Sequence, residues 1–370
     1  MKLVHFSDTH LGFGTYSRID PAEGINQREA DIYSAFKQAV DKIVDLRPDL
    51  VVHAGDLFDT ARPQNRAITF ALDQLIRLSE AGIETVLISG NHSTPRLRET
   101  GSIFSIFEHL DHIHPVFEPG IERMVLGDVA VTAIPHSASP PLSQLVPTAK
   151  PAGDSPINVL VLHAGLLGAG DFRMDEFNEQ MVPIEALSDG FDYVAMGHFH
   201  KHEKVRKGVY YSGSTERLGF GEAAQEKGFL EVDLPSGDVK FHALETREMV
   251  ELPPVDASSL SSSEILGAVR DRVSSQDVDD KVVRLIVRKV SSEAYRSLDL
   301  PSIRRLGSSA LHFELRIDRL ESEKDKALGS AQIGSLGVEF QRYVSSLDIP
   351  DEKKRRLMEI GPPYLAEAEE

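Results

Sequence analysis

Cysteine is absent from all 370 residues, which excludes disulfides, thiolate zinc sites and cysteine nucleophiles. Any metal must therefore be held by His, Asp or Asn. No apolar run reaches the roughly 18 residues that a membrane-spanning helix needs. The opening Met-Lys-Leu-Val-His-Phe-Ser-Asp is broken too early by polar residues to read as a signal peptide. The expectation is a cytoplasmic protein, nucleoid-associated if its source is prokaryotic, with no membrane partner. Basic residues are also scarce: 40 Lys and Arg stand against 58 Asp and Glu, a formal net charge of −18. The global basic footprint of a nucleic-acid binder is thus missing. Arg62, Arg66, Arg96, Arg98 and Lys201 lie within a few residues of the motifs described next and are candidate phosphate contacts. Solvated surface charge is the plainer reading of such residues.

What the chain does have is five short motifs spread from residue 8 to residue 200. They are Asp8-Thr9-His10, Gly55-Asp56-Leu57-Phe58-Asp59, Gly90-Asn91-His92, His163-Ala164-Gly165 and Gly197-His198-Phe199-His200. Each carries one or two metal-type ligands and adjoins an apolar run that reads as a β-strand. Any one of them is weak evidence; five independent coincidences multiply to a small number. Together they describe a two-metal phosphoesterase centre, since two divalent ions about 3.5–4 Å apart both activate water and neutralise a phosphoryl transition state.

The residues take distinct parts in that chemistry. Asp56 has two carboxylate oxygens and is the natural bridge between ions. Asp8 and His10 can turn towards one ion. His198 and His200 have the same spacing, one for each ion, and Asn91 and His163 add a carbonyl oxygen and an imidazole. An oxygen and nitrogen set of this kind suits manganese, iron, zinc or magnesium, and the mixture fits manganese well. His92 adjoins Asn91 and is the candidate proton donor to the departing oxygen, because imidazole titrates near neutrality. Asp59 reads either as the residue that fixes the His92 tautomer or as an ordinary turn residue. Gly55, Gly90 and Gly197 allow backbone to come close to the ions. His5 reads as a strand residue, His53 as a support behind the site, and His202 as a possible substrate contact.

The 41% hydrophobic content suffices for one large core and a smaller domain. Apolar runs at 2–7, 50–53, 84–89, 129–134, 157–163 and 192–196 read as strands. Ile32, Phe36, Val40, Ile43 and Val44 mark one helix face, Ile68, Leu72, Leu75 and Ile76 a second, and Ile103, Phe107 and Leu110 a third. Strand–helix alternation followed by later strands at 209–212, 228–233 and 238–243 predicts an α/β fold, a layered αββα sandwich over residues 1–245. In such folds ligands gather at the carboxyl ends of strands, where these motifs sit. Pro253-Pro254 and the serine run at 258–263 punctuate the chain. A small α+β domain is expected at 246–320, with a helix near 263–273, a strand at 282–290, a helix from Ser292 towards Arg305 and a strand at 310–317. A charged, helical tail fills 321–370.

The motifs resemble the calcineurin-like metallophosphoesterase superfamily. Ser7-Asp8-Thr9-His10-Leu11-Gly12 with Asn26-Gln27-Arg28-Glu29-Ala30-Asp31, His53-Ala54-Gly55-Asp56-Leu57-Phe58-Asp59 with Arg62-Pro63, and Tyr211-Ser212-Gly213-Ser214-Thr215-Glu216-Arg217 resemble the SbcD nuclease subunit family of double-strand-break repair. That resemblance implies one manganese on Asp8, His10, Asp56 and His200, a second on Asp56, Asn91, His163 and His198, and His92 as the catalytic histidine. It also implies DNA as substrate, a homodimer built around 68–76 and 103–110, a capping role for the small domain, and an SbcC-type coiled-coil ATPase partner, with the tail from Ile333 as a docking element or as a helix packed on its own core. The family usually has Asp after Gly-Asn-His, whereas this chain has Ser93; the departure touches hydrogen bonding around the site and not ligation. Phosphatase or small-molecule phosphodiesterase activity at the same centre is the alternative, which the acidic charge favours. A DNA-end scaffold without activity is a third reading, against which the full ligand set and His92 argue.

Overall fold

The structure, a computed structural model, describes residues 1–95, 101–153, 155–168, 170, 172, 174, 176, 178–234, 236–320 and 340–361, the last without 342, 346, 348, 349, 351 and 359. In chain order the strands are β1 (Lys2–Phe6), β2 (Leu50–His53), β3 (Glu84–Ile88), β4 (Ile113–Val116), β5 (Glu122–Leu126), β6 (Val129–Ile134), β7 (Ile157–His163), β8 (Gly165–Leu167) and β9 (Met181–Pro183). They continue with β10 (Tyr193–Gly197), β11 (Glu203–Arg206), β12 (Val209–Tyr211), β13 (Gly228–Asp233), β14 (Asp238–Ala243), β15 (Met249–Asp256), β16 (Val282–Val290) and β17 (His312–Arg319). The helices are α1 (Gln27–Leu46), α2 (Asn65–Glu80), α3 (Leu142–Leu145), α4 (Ser262–Ser274), α5 (Ser292–Arg296) and α6 (Leu300–Leu306).

Two six-stranded sheets form the body, in the orders β14-β13-β1-β2-β3-β4 and β11-β12-β10-β7-β6-β5. The central strands β1 to β4 run parallel, as do β6, β7, β10 and β12. Parallel strands covered on both faces carry near-continuous apolar sequence, and β2 does: Leu50 and Val52 point to one layer and Val51 to the other. Leu3, Leu50, Val52, Val86 and Ile88 of the first sheet pack against Val129, Val131, Val159, Val161 and Ala195 of the second. Ile32, Phe36, Val40 and Ile43 of α1 cover the outer face of the first sheet with Ala67, Ala71, Leu75 and Leu78 of α2. The outer layer of the second sheet is thinner, built on Leu142 of α3, Val146, Leu187 and Phe191. This is the mixed α/β sandwich of the sequence analysis.

Local differences have physical causes. On α2 the buried face is Ala67, Ala71, Gln74, Leu75 and Leu78, so Ile68, Leu72 and Ile76 form a half-buried stripe beside it. Residues Ile103–His109 make a 3₁₀ helix with Phe104 and Phe107 buried. The helix expected from Ser292 to Arg305 is two helices, because the Asp299 carboxylate accepts the Ser302 N–H at 3.1 Å and Pro301 sits in the new first turn. Pro253-Pro254 lies within β15, an edge strand of the three-stranded sheet β15-β16-β17, where missing N–H groups are tolerated. The chain forms two compact units, Met1–Pro254 with Leu266–Ile286 and Asp299–Arg316, and Val255–Ile265 with Val287–Leu298 and Ile317–Glu370. In the tail, 340–341, 343–345, 352–358 and 360–361 are helical, Leu347 and Pro350 are not, and the remaining positions of the expected tail helix, including Val338, lie outside the described residues. Among the described residues no helix is long and apolar enough to cross a membrane.

Candidate metal centre

The carboxyl ends of β1, β2, β3, β7 and β10 converge, and each delivers its motif to one place. The sheets approach there so closely that three glycines are compulsory. A Cβ on Gly197 would lie 1.9 Å from the Ala54 carbonyl oxygen, one on Gly90 2.3 Å from Asp56 Oδ1, and one on Gly55 2.2 Å from His163 Nδ1. Four of the expected ligands adopt positive φ without being glycine: Asp8 (53°), His10 (45°), Asp56 (52°) and His198 (95°). Left-handed backbone is sparsely populated by such residues and gathers at functional sites. Here it lets each chain leave its strand and turn its side chain back across the strand ends.

Asp8, His10, Asp56, Asn91, His163, His198 and His200 are all buried. His163 Nε2 lies 3.1 Å from Asp56 Oδ2 and 2.8 Å from Asn91 Oδ1, and His198 Nδ1 lies 3.1 Å from the same Asn91 oxygen. On the other side His10 Nε2 and His200 Nε2 face each other at 3.2 Å. Among the described residues, the Asp and His atoms able to meet at one ion form three groups: Asp8, His10 and His200; Asp8, Asp56 and His163; and His10, Asp59 and His92. Asp8 belongs to two of them.

Each imidazole is held from behind by an oxygen acceptor. The partners are the Asp59 carboxylate for His10 Nδ1 (3.3 Å), the Ala54 carbonyl for His163 Nδ1 (2.8 Å), Glu179 for His198 Nε2 (2.8 Å) and Glu222 for His200 Nδ1 (2.9 Å). An outer nitrogen that donates to oxygen leaves the inner nitrogen's lone pair for a cation, the arrangement that metal-ligating histidines adopt. Asp56 supplies the sharpest test of fit. Its Oδ1 accepts the His92 N–H at 2.9 Å, whereas its buried Oδ2 meets only the His163 ring nitrogen at 3.1 Å, which has no proton to give once that nitrogen is a metal ligand. A buried carboxylate oxygen without a donor is costly unless a cation answers it. The donor set of carboxylate, amide oxygen and imidazole fits hard or borderline divalent ions.

The electrostatics agree. Burial works against a charged His163, yet the adjacent Asp56 carboxylate outweighs it and raises the ring to about 9. Burial likewise opposes charge on Asp56, and His163 beside it holds the carboxyl well below the usual range. His92 rises to about 10 against its burial, through Glu176 and Asp56. By contrast His53, behind the site with its Nε2 3.1 Å from Thr9 Oγ1, is lowered by burial to about 4. The site's field therefore retains positive charge where the inward-facing groups meet.

His92 is the more open member, 29% exposed. It sits on a cleft of about 370 Å³ lined by Asp59, Thr60, Asn91, Thr94, Glu176 and Asn178 among others. Asp59 does reach His92, by its backbone: His92 Nδ1 donates to the Asp59 carbonyl at 2.9 Å, while the Asp59 carboxylate holds His10. The buried Ser93 hydroxyl donates to the Phe58 carbonyl at 3.3 Å, a bond that an ionised Asp has no proton to make. His5 pairs with the Tyr193 hydroxyl at 2.9 Å, and His202 with the Tyr211 carbonyl at 3.2 Å. Of the candidate phosphate contacts, Arg66 pairs with Glu29 at 3.4 Å and Lys201 with Glu203 at 2.6 Å, both half-exposed. Arg62 lies in the loop after Asp59 and is exposed, and Arg96 and Arg98 lie outside the described residues. Sequence reasoning missed Glu176, Glu179, Glu222 and Lys227. They stand outside the ligand motifs with no telling spacing, and only the folded chain brings them to the histidines.

Residues 1–202 match the calcineurin-like phosphoesterase family. The chain is similar to the DNA double-strand break repair protein Mre11 of Methanocaldococcus jannaschii, 30% identical over 284 residues, covering 71% of this chain and 72% of that protein. The Mre11 protein of Methanococcus maripaludis is 28% identical over 259 residues, 66% of each chain. That of Methanopyrus kandleri is 27% identical over 406 aligned positions, covering 100% of this chain and 85% of the relative. With its ligand motifs converging on one buried centre, the chain belongs to the calcineurin-like metallophosphoesterase family, in the SbcD/Mre11 branch of metal-dependent hydrolases.

Proposed function

We propose that this chain is the manganese-dependent nuclease subunit of a double-strand-break or hairpin-processing repair complex, cutting DNA by two-metal phosphodiester hydrolysis as an exonuclease and endonuclease. The observation that carries the reading is the convergence of seven buried ligand side chains on one centre, where Asp56 Oδ2 meets only the ring nitrogen of another of them, His163. That DNA is the substrate rests on the repair role printed for the relatives.

Asp8, His10, Asp56 and His200 would hold one ion and Asp56, Asn91, His163 and His198 the other. When bound, the pair supplies an activated water and neutralises charge at the phosphorus. The remaining chemistry belongs to the chain. The Asp59 carbonyl takes one His92 N–H and the raised basicity keeps the second proton on Nε2, facing the cleft. His92 gives that proton to the departing oxygen. Glu176 accepts from His92 Nε2 at 3.1 Å, and a substrate phosphate would take the place of that carboxylate. Arg62, Arg66, Arg96, Arg98 and Lys201 are assigned to the DNA backbone around the site. The half-buried Ile68, Leu72 and Ile76 support a homodimer contact on α2, residues 246–320 are assigned the capping role, and the helical tail is assigned to an SbcC-type coiled-coil ATPase. The acidic balance of −18 favours a second reading, a phosphatase or small-molecule phosphodiesterase.

Cleavage of labelled single- and double-stranded DNA with manganese, beside a generic phosphodiester ester, separates the two. DNA cutting that vanishes in His92→Ala is the expected result. Ester hydrolysis without DNA cutting, with or without the ATPase partner, would transfer the assignment to the second reading.

A further inference from the structure

Lys227 is a fully buried lysine that the hydrolytic chemistry does not use. Its side chain has 0% exposure, and its Nζ touches the His200 carbonyl (2.9 Å), Ser214 Oγ (2.8 Å), Gln225 Oε1 (2.8 Å) and Glu222 Oε2 (2.6 Å). A buried ammonium is tolerated only when paired and saturated with acceptors, and this one is. The other oxygen of Glu222 receives His200 Nδ1 at 2.9 Å. Glu222 also takes the Leu218 N–H at 3.3 Å, so its carboxylate is fixed from three sides. The His200 carbonyl meanwhile receives the Ser214 N–H at 3.0 Å besides Lys227. One buried ion pair thus grips both the side chain and the backbone of a single histidine. Gly213 makes the approach possible: it has φ +76°, and a Cβ there would lie 2.6 Å from the His202 nitrogen and 2.9 Å from the His200 oxygen.

Two of the other supported ring nitrogens lean on less: His163 on a bare carbonyl and His10 on a part-exposed Asp59. Replacing a buried pair by apolar groups is often neutral or stabilising for folding alone, so folding does not by itself require a Lys–Glu pair here. We infer that the Lys227–Glu222 pair is a positioning device for His200, locking the Nδ1–H tautomer and presenting Nε2 to one of the two metal positions. The inference rests on the two-metal reading above. Glu222 orients the ring, and Lys227 holds the Glu222 carboxylate in place and pins the loop that carries His200.

The test counts manganese sites rather than turnover. Free manganese measured by electron paramagnetic resonance gives the stoichiometry and affinity of each site in the full chain. Wild type is expected to bind two ions. Glu222→Gln and Lys227→Met should each weaken one site by about 10–100-fold, the usual cost of losing an outer-shell partner, and leave the other unchanged. Equal affinities in wild type and both variants would overturn the inference and leave the two-metal reading standing; a wild type that binds no manganese would overturn both. A second readout needs no variant at these positions. Nitrogen NMR of histidine-labelled wild type loaded with zinc, with His200 assigned from a His200→Asn difference spectrum, should show the proton on Nδ1 and the metal on Nε2. The reverse tautomer would overturn the inference even if Glu222→Gln failed to fold.

Discussion

With chelator present, the stability of this protein should fall as pH rises from 6.5 to about 9, and manganese should abolish that fall. The perturbed group is His163. It is fully buried against Asp56 Oδ2 at 3.1 Å, with its other nitrogen bonded to the Ala54 carbonyl. Burial opposes its charge, but Asp56 raises it from 6.5 to about 9. A folded-state value above the unfolded one means that folding retains a proton the unfolded chain releases. The stabilisation is therefore fully present below pH 6.5 and is lost as pH climbs through about 9. At 1.36 kcal/mol per pH unit the span corresponds to about 3 kcal/mol, shared with the depressed Asp56 and not additional to it. Urea unfolding in EDTA at several pH values measures the difference, and His163→Gln provides the reference for other titrating groups. Metal binding needs the Nε2 lone pair and releases this proton, so apparent manganese affinity should rise over the same window. Equal wild-type stability at pH 6.5 and 9 in EDTA, or an identical slope in His163→Gln, would refute the reasoning.

Other predictions follow from the packing around the centre. Gly197→Ala places a methyl 1.9 Å from the Ala54 oxygen and 2.8 Å from His163 Nδ1; overpacking of this kind costs about 1–3 kcal/mol. A lowered urea midpoint with weakened manganese binding is expected, and an unchanged variant would mean the two sheets are further apart than described. Arg28 is fully buried, reaching Asp31 at 2.6 Å, the Arg217 carbonyl at 2.6 Å and Glu216 at 3.4 Å. Arg28→Met should destabilise by about 3–5 kcal/mol through the charge left behind, with Arg28→Met/Glu216→Gln recovering part of the loss in the same assay. A double variant no better than the single one would contradict the pairing.

The sequence was most legible where period and position coincide. The strands at 50–53, 129–134 and 157–163 coincide with β2, β6 and β7 because parallel strands buried on both faces leave unbroken apolar runs. The motifs were legible because ligands at strand ends are brought together by topology alone. Asn26 to Asp31 and Tyr211 to Arg217 were visible only as stretches resembling a family; folding explains them, since Asn26 caps α1 and Arg28 ties that helix to the Arg217 carbonyl. What stayed hidden depends on tertiary contact. Nothing in the spacing of Glu222 and Lys227 shows that both are buried behind His200. The α2 face was misplaced because Ala67 and Ala71 look neutral in a hydrophobic pattern, although their small size lets the helix lie close to α1. Pro253-Pro254 reads as a break until an edge strand gives it a place.

The central claim is that two ions share a carboxylate at this site, and the metal count of Asp56→Ala tests it most directly. Asp8 is the carboxylate that belongs to two ligand groups, whereas Asp56 carries a buried oxygen that meets only the His163 ring nitrogen, so the variant also decides which of them bridges. Two manganese ions per wild-type chain and almost none in Asp56→Ala are expected. A single ion in wild type, or an unchanged count in the variant, would contradict the account.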